Sequence, residues 1–104
     1  MSKKRVIHEL TNMLAIALRH KIGSIVNPDE IYAQKYAKDA EVLMKEAKKI
    51  AIKENWNNYN KIKIREELKK RLKLELEKKE FLDNRKFELI DEEVDKALKL
   101  LSLV

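Results

Sequence analysis

Apolar residues recur along this chain at three- and four-residue steps, the spacing that lines one face of an α-helix, and four such stretches separate from one another. In the first, residues 3–22, Val6, Ile7, Leu10, Met13, Leu14, Ala17 and Leu18 form a broad apolar face opposite Arg5, His8, Glu9, Asn12 and Arg19. Gly23 follows at once. Glycine adopts the left-handed conformation that closes many helices, so the first helix is expected to end near residue 22, with Arg19, His20 and Lys21 at the negative end of its dipole. The second helix is expected over 28–54. Asn27 is a suitable N-cap, Pro28 needs no donor at the first helical position, and Asp29 with Glu30 complement the positive end. Ala33, Ala37, Ala40, Met44, Ala47 and Ala51 run along one line of this helix, with Tyr36, Leu43 and Ile50 beside them, and so small a seam lets a neighbour approach closely.

The asparagine-rich stretch 55–60 breaks the pattern and is expected to hold the main reversal of the chain. Beyond it, Ile64, Leu68, Leu72 and Leu76 step by four along a third helix over 61–80, supported by pairs such as Glu66 with Lys70 and Glu67 with Arg71. One alternative is a small β-wing over 72–89, because Leu72, Leu74 and Leu76 alternate with charged residues and Asp83-Asn84 suits a hairpin turn. The helical reading is preferred, since strong helix formers fill the segment and β-branched residues are missing from it. A fourth helix over 85–103 turns Leu89, Ile90, Val94, Ala97, Leu98 and Leu101 inward, with an interruption near Asp91.

Four amphipathic helices joined by short turns predict an all-α fold, a small antiparallel bundle forming one domain over 1–104 with the second helix at its centre. Ile31 and Val42 fall opposite the alanine seam, so the second helix carries apolar residues on two faces, and a homodimer is the simplest way to cover the extra one.

Composition narrows the chemistry. With no cysteine among 104 residues there is no disulfide, thiolate metal site or thiol nucleophile, which fits a reducing cytoplasm. The apolar run Met13–Leu18 is too short to span a bilayer, so a soluble protein without a membrane span is expected. A single glycine rules out a glycine-rich phosphate loop, two histidines without the His-Glu-x-x-His pattern leave no metal centre, and Ser2, Ser24 and Ser102 have no evident base. Neither a cofactor nor an autonomous enzyme is expected.

Charge is segregated. The net charge of +6 is concentrated in residues 1–27 and 61–86, whereas 28–60 is balanced and 87–104 is acidic. Lys3, Lys4 and Arg5, with Lys61, Lys63, Arg65, Lys69, Lys70, Arg71 and Lys73, are candidates to neutralise phosphates, and Trp56 and Tyr59 to stack on unpaired bases. Without a sequence-reading motif, such binding would be directed at the nucleic-acid backbone, or at an acidic protein. The same residues also fit a solvated, glutamate-laced helix face, with Trp56 and Tyr59 plugging the end of the bundle.

His8-Glu9-Leu10-Thr11-Asn12 resembles the H-box of sensor histidine kinase dimerisation helices. The resemblance implies a phosphoacceptor at His8, proton transfer aided by Glu9, and a water oriented by Asn12. It covers eight residues, from His8 to Ala15, and Met13 occupies the position where that family often has proline. The expectation is therefore a helical-bundle binding or assembly protein. A phosphotransfer module and a purely structural oligomeric scaffold are the alternatives.

Overall fold

The computed structural model describes residues 2–29 and 31–104, so Glu30, expected in the first turn of the second helix, lies outside the described residues. Among these residues the chain forms four α-helices, α1 (Lys3–Val26), α2 (Ala33–Ala51), α3 (Asn58–Glu77) and α4 (Ile90–Leu100), with a 3-10 segment, Asn84–Leu89, leading into α4. The fold is an all-α small helical bundle.

Gly23 does not end α1. It has no positive φ, and the apolar stripe runs through it to Ile22 and Val26, both buried. The missing side chain serves packing: a Cβ built there would touch the Leu82 methyls at 3.7 Å and the Tyr36 ring at 3.9 Å. The stop signal is Pro28, which disfavours helical backbone at the residue before it, and the helix closes at Asn27 with its N–H donating to the Gly23 carbonyl at 3.0 Å. Arg19, His20 and Lys21 therefore lie inside α1, and the last turn holds no basic residue.

Asn27 and Pro28 do not start α2 either. The chain turns through Ile31 and Tyr32, and α2 begins at Ala33 without a side-chain cap. Ala33 is buried at this first position. The Asn27 side chain serves another turn, its Oδ1 accepting the Asp83 N–H at 3.2 Å.

The third helix starts three residues earlier than expected, because Asn57 and Asn60 form a reciprocal capping box: Asn57 Oδ1 accepts the Asn60 N–H at 2.7 Å and Asn60 Oδ1 accepts the Asn57 N–H at 3.3 Å. The β-wing alternative is absent among the described residues. Leu72 and Leu76 stay on the buried stripe with Ile64 and Leu68, while Leu74 faces water, as a continuous helix requires. The predicted fourth helix resolves into the 3-10 segment and α4. It closes with Leu103 N–H donating to Leu98 O at 2.8 Å and Ser102 N–H to Lys99 O at 3.1 Å, a Schellman motif that leaves Ser102 at φ 57.

The centre of the bundle is α1, not α2. Helix α1 touches every other element, whereas α2 packs chiefly on α1. Alanines account for this: Ala33, Ala40, Ala47 and Ala51 are buried, yet they fill only a shallow interface, while the wide face of α1 needs neighbours on several sides. α1 and α3 run parallel, tied by Thr11 with Glu67 and Arg19 with Glu75 at the same sequence offset. The shared core gathers Leu10, Leu14 and Leu18 of α1, Ile64, Leu68 and Leu72 of α3, and Val94 and Leu98 of α4. Truncating any of these leucines to alanine costs about 2–5 kcal/mol.

Two charged groups are built into this core. Glu93 is 2% exposed, with Lys21 Nζ 2.5 Å from its Oε1 and Lys96 3.5 Å from its Oε2; the Lys21 contact brings the charges together without the alignment of a hydrogen bond. Lys86 is equally enclosed and donates to the Lys79 carbonyl at 2.6 Å. No helix of the described residues is long and apolar enough to cross a membrane.

Candidate functional site

The basic residues of α3 divide by face. Positions 65 and 69 share one side of the helix, turned toward α4, and there Arg65 meets Asp95 and Lys69 lies 3.2 Å from Asp91. Lys63, Lys70 and Lys73 point outward, exposed, and pair with no carboxylate among the described residues. Lys61 is half-buried at the start of the helix, on the side of Arg65. Arg71 turns toward α1, where its guanidinium lies 2.5 Å from His8 Nδ1.

The two basic segments meet at one end of the molecule. Lys3, Lys4 and Ile7 of α1 and Tyr59, Asn60, Lys63 and Glu67 of α3 line a groove of about 390 Å³. Because α1 and α3 are parallel, both N-termini flank it, and neither first turn carries an acidic side chain to offset the positive dipole end. Lys4 and Lys63 are exposed on its walls, and Tyr59 is 71% exposed beside them.

Other candidates are already occupied. Lys3 Nζ reaches Glu54 Oε2 at 3.1 Å and the Asn55 carbonyl at 2.6 Å, and it lies 4.8 Å from the centre of the Trp56 ring. Trp56 is half-buried and its indole N–H donates to the Ala51 carbonyl at 2.9 Å. One ring face is thus covered and the polar edge satisfied, which makes Trp56 the lock between α2 and α3 rather than a free stacking surface. Arg5 pairs with Glu9 at 3.5 Å, one turn along the exposed side of α1.

His8 and Asn12 are exposed on α1, while Thr11 is buried and donates to the Ile7 carbonyl at 2.8 Å. The Arg71 guanidinium, which only donates, lies against His8 Nδ1.

Sequence reasoning passed over Ile7, Asn60 and Glu67 as groove residues, and it passed over His20. The His20 ring lies 5.3 Å from the Tyr36 ring, centre to centre, near Arg19, and its pKa is lowered by burial first and by the Arg19 charge second. Neither Glu67 nor His20 had a signal in the chain, because both depend on which helix lands beside α1. No group of three or more His, Cys, Asp or Glu side chains among the described residues is placed to hold a metal ion. No protein-family model matches the chain, and neither a curated protein nor a solved structure does.

Proposed function

We propose that this chain is a binding and assembly protein, not an enzyme, that lays Lys4, Lys63, Lys70 and Lys73 against a nucleic-acid phosphate backbone. The observation that carries the reading is the division of α3: its α4-facing cations are neutralised by Asp91 and Asp95, whereas its outward lysines have no acidic partner among the described residues. Uncompensated surface lysines continuous with a basic groove are what a polyanion neutralises, with release of condensed counterions. Glu66 and Glu67 lie within the same stretch, so the attraction is modest and strongly salt-dependent. With Trp56 committed to the fold, Tyr59 is the one of these two aromatics left free for stacking, and recognition rests on the backbone rather than on bases.

The working unit in this proposal is a homodimer, and its cysteine-free composition fits a reducing, cytoplasmic setting. Support for the dimer comes from apolar side chains left in water, among them Leu100 at 64% and Ile25 at 45% exposure. The test is fluorescence anisotropy with labelled single-stranded and duplex oligonucleotides at several salt concentrations. Binding that weakens with salt is expected, and no binding to either at low salt rejects the reading.

A further inference from the structure

The second apolar face expected on α2 is not a continuous one. Ile31 falls in the turn before the helix, and Val42 stands alone among the charged side chains one turn away, Lys38, Asp39, Lys45 and Glu46. The apolar opening lies on a different flank. Ile25 of α1, Ala37, Ala40 and Met44 of α2, and Leu100 of α4 border a groove of about 430 Å³. Its floor is small residues and its ridge is two large, exposed ones, so one surface carries both a hole and a knob.

We propose that this groove seats a second copy of the chain about a two-fold axis, with Leu100 and Ile25 of each copy filling the opening of the other. The charges on its rim select this occupant. Of the three charges there, Lys21 is held by Glu93, whereas Glu41 and Lys45, one helical turn apart, form no ion pair within the chain among the described residues. A two-fold axis crossing α2 near position 43 sets two α2 helices antiparallel and brings Glu41 of each copy to Lys45 of the other. The contact is thus self-complementary in charge as well as in shape, as an isologous interface requires. Lys4, Lys63, Lys70 and Lys73 are outside this groove, and the pair of copies offers two basic surfaces to one polyanion.

The inference rests on the homodimer reading, and one experiment separates the two. Sedimentation equilibrium of the intact chain is expected to show monomer and dimer in exchange. Leu100→Glu should weaken the dimer at least about tenfold, and Glu41→Lys and Lys45→Glu should each do so as well, because each turns two attractive contacts into repulsive ones. The double variant E41K/K45E should recover the dimer, since the swapped charges pair again. Val42→Glu should leave it unchanged. Circular dichroism checks that each variant folds, and the sites chosen are all on the surface. A wild-type chain that stays monomeric at millimolar concentration overturns the homodimer reading itself. A dimer that survives Leu100→Glu, or single charge variants that the double variant fails to rescue, overturns this interface while leaving the dimer in place.

Discussion

Lys69 Nζ lies 3.2 Å from Asp91 Oδ1, whereas the next residue, Lys70, about 100° further round the same helix, is exposed to solvent. One step of sequence separates a lysine that ties α3 to α4 from one left for another molecule. Both members of the Lys69–Asp91 pair are solvent-exposed in part, so reversing Lys69 to Glu should lower stability by about 0.5–1 kcal/mol, while Lys70→Glu should change it by less than about 0.5 kcal/mol. Urea unfolding of the two variants measures the difference.

Gly23 offers a sharper check on the fold. It sits in helical backbone, and an added methyl would meet Leu82 and Tyr36 at ordinary contact distances. Gly23→Ala should therefore stabilise the chain by about 0.5–1 kcal/mol, through helix propensity and a less free unfolded state. Had Gly23 closed the helix in the left-handed region, the same change would destabilise it.

Ser102 presents the reverse case. Its φ of 57 places an L-residue where glycine is at ease, and the Schellman hydrogen bonds from Leu103 and Ser102 hold it there. Ser102→Gly is expected to raise stability by up to about 1 kcal/mol, read as a higher midpoint of thermal unfolding.

His20 sets the pH dependence near neutrality. Burial, then the neighbouring Arg19 charge, hold its pKa below the ordinary 6.5, so the unfolded chain takes up the proton first as pH falls. Stability should be highest above about pH 6.5 and decline as pH drops from there through the lowered value of the folded state. His20→Gln should flatten that part of a stability–pH curve. At more acid pH, Asp95 contributes in a related way. The hydrogen bond from Arg65 keeps its carboxyl below the usual range, and the stabilisation it gives above about pH 4 is lost as the group is protonated.

Much of the fold was legible because some patterns permit a single reading. Ile64, Leu68, Leu72 and Leu76 step by four among strong helix formers with no β-branched residue from 65 to 89, so α3 was legible, and the exposed Leu74, which a strand would have placed on their face, decides against the hairpin. The ends of α1 and α2 were harder. Gly23 serves either a left-handed cap or a close approach, and only the arrival of Tyr36 and Leu82 decides between them. Asn27 makes a good N-cap, but Asp83, far along the chain, claims its side chain. The alanine seam suggested a central helix, yet small side chains allow close contact with one neighbour without requiring several. The division of the basic residues was invisible for the same reason: Lys69 and Lys70 look alike until α4 brings Asp91 to one of them.

The salt dependence of nucleic-acid binding by the wild-type chain and by two triple variants tests the proposed basic surface most directly. With a labelled duplex, reversal of Lys63, Lys70 and Lys73 to Glu should weaken binding at least about tenfold and reduce the slope of log affinity against log salt by about 2–3, one unit for each lost phosphate contact. Reversal of Lys35 and Lys38, exposed on α2, and of Lys53, exposed in the turn after it, should leave that slope nearly unchanged. Equal loss in both variants would show that net charge alone attracts the duplex, and an unaltered slope in the α3 variant would contradict the site.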